Sequence, residues 1–121
     1  MNESEAITRV KSRLKMPVLL TSSIHFANIN SSKNVWWLDI PLSKLTEEGN
    51  SNITLLLYDH INDKLYYIVI PKVYFQENME RFAIRHNKGC ISIELSTDEA
   101  KIFCDMRPGG YGINFRKYLI E

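Results

Sequence analysis

The chain of 121 residues contains 15 Lys and Arg, 14 Asp and Glu, and 45% hydrophobic residues. This composition is typical of a globular protein and excludes the disordered, collagen-like and coiled-coil classes. The formal net charge of +1 excludes a wholly basic nucleic-acid binder of the histone type. Because chains of this length seldom divide into separate cores, the sequence predicts a single α+β domain over residues 1–121.

The first predicted element is a helix over residues 4–14. Ile7, Val10 and Leu14 recur at the spacing of one apolar helix stripe, and Ser4 is the expected N-cap. The acidic residues before this helix do not resemble a signal peptide, and no apolar run is long enough to span a bilayer. We therefore expect a cytoplasmic protein without a membrane-spanning segment.

The rest of the chain alternates between apolar segments and turn residues, which predicts a mainly antiparallel sheet of about six or seven strands. A barrel-like closure and an open sheet are both compatible with this pattern. Short helices are expected after Pro41 and over residues 73–79, the second of them packed against the sheet together with the N-terminal helix. The predicted strands are 24–29, 34–40, 53–58, 65–70, 82–86, 90–95 and 101–106.

The last two strands are expected to form a hairpin in which Ile93 faces Ile102 and Ile91 faces Cys104. This register would place Cys104 in the core. Cys90 would lie on the wetter face of the sheet, where the two thiols cannot form a disulfide.

Basic residues are segregated along the chain. The stretches 6–38, 81–93 and 106–120 contain basic residues and no acidic side chain, whereas 94–105 contains four acidic residues and a single lysine. If the basic stretches share one face, they form the surface that a phosphate backbone requires; ordinary solvated charges remain the alternative. The residues assigned to phosphate contacts are Arg9, Arg13, Arg85, Lys88, Arg107, Arg116 and Lys117.

The segment 107–118 interleaves aromatic residues with Arg and Lys around several glycines. Tyr111 and Phe115 are candidates for stacking on unpaired bases. The alternative for Phe115 is packing against the core. The basic residues and this aromatic, glycine-rich loop together lead to the main hypothesis, a non-enzymatic binding module for nucleic acid.

Two further hypotheses belong to other functional classes. Trp36 and Trp37 project to opposite faces of a strand, so an exposed one could serve a protein interface. We expect instead that a helix, the N-terminal one being the candidate, covers the second face. A metal-dependent nuclease would use the Glu99-Ala100-Lys101 sequence with Asp59 or Asp39, although Glu99 is expected in a turn. The sequence indicates neither a cofactor nor a metal site.

Overall fold

The computed structural model describes residues 1–14, 22–49 and 51–121, which form an α+β fold with one six-stranded sheet and three α-helices. The strand order is β4-β3-β1-β2-β6-β5. The strands are β1 (Ser22–Asn30), β2 (Val35–Pro41), β3 (Asn52–Asp59), β4 (Lys64–Pro71), β5 (Ala83–Arg85) and β6 (Cys90–Ser96). The helices are α1 (Glu3–Leu14), α2 (Ser43–Thr46) and α3 (Lys72–Glu77).

The sheet is mixed, which corrects the expectation of a mainly antiparallel arrangement that might close into a barrel. β1 begins a hairpin with β2 but pairs in parallel with β3 over most of its length, from Ser22 opposite Asn52 to Asn28 opposite Tyr58. The other strand pairs are antiparallel. The sheet ends at β4 and β5 and is not closed into a barrel.

Helix α1 covers one half of one sheet face. Ala6 and Val10 pack on Leu56, Leu65 and Tyr67, in a cluster that involves β1, β3 and β4. The Asn2 side-chain oxygen accepts a hydrogen bond from the Glu5 backbone amide at 2.8 Å, so Asn2 rather than Ser4 caps the helix. The side chain of Leu14 lies outside the described residues.

The opposite face carries the main core, which receives side chains from every strand. Trp36 of β2 meets Tyr66 of β4 and Phe103, with ring centroids 5.6 and 5.8 Å apart. β2 and β4 are separated by two strands, so the sheet curves around this core. Phe75 of α3 stacks on Phe82 at 5.2 Å and closes one end of the core.

The C-terminal segment crosses the concave side of the curved sheet. The Tyr111 backbone amide donates to the Arg81 carbonyl next to β5, and Ile113 and Phe115 then enter the main core. At the other end, the Ile120 amide donates to the Tyr67 carbonyl of β4 at 2.8 Å. The segment therefore contacts both ends of the sheet without completing a barrel.

The predicted strand 101–106 is absent, and its predicted register is wrong. Asp98 accepts a hydrogen bond from the Ala100 amide and starts a 3-10 turn over Glu99–Lys101, which ends the extended backbone. Phe103 then adopts a positive φ of 65° that allows its ring to enter the core. Leu95 pairs with Asp105 instead, and Cys90 is buried while Cys104 is only half-buried.

Candidate nucleic-acid interface

The two predicted phosphate-binding residues of α1 are held in ion pairs. Arg9 Nη1 lies 3.1 Å from Asp63 Oδ1, and Arg13 Nε lies 3.1 Å from Glu121 Oε1. Arg13 also donates to the Leu65 carbonyl. These contacts dock the polar side of α1 on the β3–β4 turn and on the C-terminus, so the helix does not present free cations at these positions.

Two more predicted residues, Arg85 and Arg107, lie on the face of the sheet against which α1 packs. They lie over the half of that face that α1 does not cover. Arg85 Nη1 lies 3.3 Å from Asp39 Oδ2. Arg107 Nη1 lies 3.2 Å from Glu94 Oε2, while the second Glu94 oxygen accepts from Lys33 at 3.0 Å. Because the Glu94 side chain is almost fully buried, its charge is compensated within the protein, here by both cations.

A third group of cations converges in a groove beside α3. This C-terminal groove has a volume of about 530 Å³ and contains two of the predicted residues. It is lined by Tyr74, Arg81, Gly112, Asn114, Arg116 and Lys117.

Local structure fixes the positions of the groove cations. Arg81 ends the 3-10 turn Met79–Arg81, where its guanidinium donates to the Asn78 side chain at 3.0 Å and to the Gly112 carbonyl. The Asn114 side chain accepts from the Arg116 amide at 2.8 Å and starts a second 3-10 turn. The buried ring of Phe115 anchors that turn to the core.

The charge of the groove is not balanced by carboxylates. Within the described part of the chain, Arg81, Arg116 and Lys117 make no contact within 4.0 Å with a carboxylate. The described residues that line the groove include no acidic one. The Lys117 ammonium instead lies 5.7 Å from the Tyr74 ring centroid, a cation–π distance that leaves its charge available to an anion.

A smaller cleft lies on the half of the sheet that α1 leaves uncovered. This Trp37 cleft is lined by Trp37, Asp39 and Arg85 and has a volume of about 370 Å³. The Trp37 indole donates to Ser92 Oγ at 3.0 Å, which fixes the ring on the sheet. Lys33 and Arg107 lie 5.7 and 5.5 Å from its ring centroid.

The loop 107–112 connects the two sites, because Arg107 lies by Trp37 and Gly112 accepts from Arg81. Asp105 holds the start of this loop: its Oδ1 accepts from the Glu94 and Arg107 amides, each at 3.0 Å. Its Oδ2 is buried without a hydrogen-bond partner in the described residues. Burial is the main cause that raises the pKa of Asp105, and the nearby charge of Glu94 adds to it.

The structure separates the two predicted stacking residues. Tyr111 is 66% exposed in the connecting loop, whereas Phe115 is fully buried in the main core. Phe115 is therefore unavailable to a base, and the alternative of core packing describes its position. Lys88 is exposed in the β5–β6 turn and lines neither site.

The two adjacent tryptophans face opposite sides of β2, as their position in a strand predicts. Trp36 is 1% exposed in the core and Trp37 is 38% exposed. The expected cover of Trp37 by α1 is wrong, because α1 packs over β1, β3 and β4 instead.

Arg81 was missed as a site residue. The sequence places it at the start of a basic stretch, but it reaches Gly112 only because the C-terminal segment folds back beside it. The sequence signal for this contact is the glycine-rich segment, whose exposed backbone carbonyls can accept hydrogen bonds from an arginine.

The nuclease residues are not assembled into a metal site. Asp98 and Glu99 belong to the 3-10 turn, as expected of turn residues. Among residues 1–14, 22–49 and 51–121, no group of three or more His, Cys, Asp or Glu side chains is placed to hold a metal ion.

Comparisons of the chain with protein-family models, curated proteins and solved structures gave no significant match. No helix in the described ranges has the length and apolar character needed to cross a membrane.

Proposed function

We propose that the protein is a non-enzymatic binding module whose C-terminal groove holds the sugar-phosphate backbone of a nucleic acid. The observation that carries this proposal is the convergence of Arg81, Arg116 and Lys117 without a carboxylate partner among the described residues. The proposal does not include Arg9 and Arg13 of α1, because these two cations are paired with carboxylates.

The groove offers the chemistry that phosphates require. A phosphate placed there would meet a guanidinium that two hydrogen bonds hold in place, together with the more exposed Arg116 and Lys117. Planar guanidinium groups match phosphate oxygens in pairs, whereas the lysine adds a point charge. Gly112 has no side chain, and this leaves the space that the Arg81 guanidinium occupies against the Gly112 backbone.

The test is fluorescence anisotropy of a labelled nine-nucleotide deoxythymidine strand at increasing salt. Three phosphate contacts on a single strand give a slope of log affinity against log salt of about −2. Affinity should thus fall roughly 15-fold between about 50 and 200 mM salt. In the double variant Arg116→Glu/Lys117→Glu, we expect at least a tenfold loss at low salt and a slope near −0.7, since about one contact remains.

A matched control changes the net charge equally outside the groove. Lys11→Glu/Lys101→Glu reverses two exposed lysines that do not line it. We expect this variant to retain wild-type affinity within about threefold, because exposed charges that do not contact the strand are partly screened at these salt concentrations. Absence of binding by the wild-type protein at low salt, or equal losses in the two double variants, would refute the proposal.

A protein partner is the second candidate function, and the Trp37 cleft favours it. Trp37 is partly exposed, and the nearby Lys33, Arg85 and Arg107 are already paired with carboxylates. Exposed tryptophan and arginine are common centres of protein interfaces. A complex that survives nuclease treatment and is lost in Trp37→Ala would establish this candidate.

A further inference from the structure

The Trp37 cleft has a chemical character different from that of the C-terminal groove. Its charges are balanced by the Arg85–Asp39 ion pair, and one wall is an aromatic ring. A phosphate would gain little there, since the carboxylate of Asp39 opposes it. A planar group with hydrogen-bond donors and acceptors on its edge is a better match.

We propose that this cleft binds one base of a single-stranded nucleic acid, with a preference for guanine. The inference rests on the proposed function, because the phosphates of the same strand would occupy the C-terminal groove. Beyond the proposed function, it specifies that the ligand is single-stranded and that the protein selects one type of base.

Stacking accounts for the role of Trp37. The hydrogen bond from its indole to Ser92 holds the ring in one orientation, so little side-chain entropy is lost when a base stacks on it. Aromatic stacking is a main source of affinity in single-strand binding and requires that the base be unpaired. A duplex would not supply such a base without opening.

Hydrogen bonding accounts for the preference. Asp39 and Trp37 point from the same side of β2, and Arg85 reaches Asp39 from β5. The Oδ2 atom of Asp39 accepts from Arg85, whereas its Oδ1 has no hydrogen-bond partner among the described residues. Guanine presents a ring N–H and an amino group to a carboxylate, and its O6 oxygen can accept from an arginine.

The two sites lie within reach of one short strand. The loop from Arg107 to Gly112 spans at most about 18 Å when fully extended. A central base of a nine-nucleotide strand is four nucleotides from either end, about 14 Å at the stacked spacing of 3.4 Å per nucleotide. One end reaches the groove from a central base in the Trp37 cleft when the intervening bases are unstacked and the strand is extended.

The experiment compares the nine-nucleotide deoxythymidine strand with the same strand carrying one central deoxyguanosine. We expect the wild-type protein to bind the guanine-containing strand about tenfold more tightly, since one paired base contact contributes about 1–3 kcal/mol of discrimination. Tryptophan fluorescence should be quenched more strongly by that strand, because Trp36 is buried and Trp37 is the accessible indole.

Variants separate the two parts of the cleft. Asp39→Asn should remove the preference for guanine while binding of the deoxythymidine strand persists. Trp37→Leu should weaken binding of both strands by about tenfold, in line with the loss of one stacked base. Asp63→Asn is the matched control, because it also breaks a surface Arg–Asp pair but lies beside α1; it should retain the preference.

The possible results distinguish this inference from the proposed function. Equal binding of the two strands by the wild-type protein, with a normal salt slope, would overturn the guanine site and leave the groove intact. Unchanged affinity in Trp37→Leu would overturn it as well and would favour a protein partner at this surface. Absence of binding by either strand at low salt would overturn both proposals. Urea unfolding of each variant verifies that the fold is retained.

Discussion

Helix α1 and the C-terminal groove are both rich in basic residues, yet the structure uses their charges differently. In α1, Arg9 and Arg13 bind Asp63 and Glu121, and the ion pairs attach the helix to the sheet. In the groove, Arg116 and Lys117 have no such partner within the described ranges. The same residue types therefore support docking in one region and remain available for an anion in the other.

This difference shows why acid-free stretches of sequence do not by themselves locate an anion-binding surface. Asp63 is 54 residues from Arg9 in the sequence, so the partner of this cation is set by the fold and not by its neighbours. The availability of a cation depends on which carboxylates the fold brings within about 4 Å of it. Four sets of measurements test whether α1 and the groove differ in this way, from the largest expected effect to the smallest.

The largest expected effect concerns the anchor of the groove. Phe115 is fully buried, so Phe115→Ala should lower the free energy of unfolding by about 3–5 kcal/mol, as measured by urea denaturation. Tyr111→Ala, in the exposed part of the same segment, should change it by less than about 0.5 kcal/mol. Equal effects of the two changes would show that Phe115 does not anchor the groove.

A smaller effect is expected from Gly112→Ala. Gly112 has a φ of +70°, and a Cβ there would lie 2.6 Å from the Arg81 guanidinium. We expect a loss of about 1–2 kcal/mol from the backbone strain and a several-fold loss of oligonucleotide affinity as Arg81 moves. Gly89→Ala is the control: its φ of +60° imposes similar strain, but nothing lies within 4 Å of its added Cβ. Loss of affinity in both variants would indicate that strain, and not Arg81, is responsible.

Charge reversal on α1 should lower stability and leave affinity nearly unchanged, whereas charge reversal in the groove should lower affinity. Arg9→Glu/Arg13→Glu places like charges beside Asp63 and Glu121, so the urea midpoint should fall modestly. Affinity for the deoxythymidine strand should stay within about threefold of wild type, because these cations are not available to phosphate. A loss as large as that of Arg116→Glu/Lys117→Glu would place the ligand on α1.

The smallest effects are expected in the pH dependence of the free energy of unfolding. One carboxylate beside α1, Asp63, and one at the start of the loop that leads to the groove, Asp105, have shifted pKa values. Hydrogen bonds from Tyr58 and then Arg9 lower the pKa of Asp63, whereas burial raises the pKa of Asp105. Asp63 therefore stabilises the fold above its unfolded pKa, and this contribution is lost as pH falls through its lower folded value. Asp105 has the opposite sign: stability declines as pH rises from its unfolded pKa to its higher folded value.

Variants reveal the two signs separately. The stability difference between wild type and Asp63→Asn should shrink as pH falls through the acidic range. The difference between Asp105→Asn and wild type should grow in favour of the variant as pH rises above about 4, the ordinary aspartate range. Urea unfolding at several pH values measures both, and a common sign for the two variants would contradict the assignment.

Local patterns predicted much of the fold. The apolar stripe of α1 and the opposite orientations of Trp36 and Trp37 follow from periodicities of 3.6 and 2. The parallel pairing of β1 with β3 did not follow, because an apolar strand pattern does not specify the direction of its neighbour.

The candidate site was predictable only in part. Arg116 and Lys117 were identified, but the arrangement of the groove depends on Arg81 and on the return of the C-terminal segment. The incorrect strand 101–106 has a local cause, because the chain turns again after Lys101, whose carbonyl accepts from the Cys104 amide, and Phe103 has a positive φ of 65°. Local sequence patterns do not predict contacts between side chains that meet only in the tertiary structure.

The most direct test of the difference between α1 and the groove is an NMR titration of the isotopically labelled protein with the nine-nucleotide deoxythymidine strand. We expect the backbone amide shifts to concentrate at Arg81, at Gly112 and Asn114, and at Arg116 and Lys117, with little change along α1. Shifts concentrated on α1, or no shifts at saturating strand concentration and low salt, would contradict the assignment of the groove as the anion-binding surface.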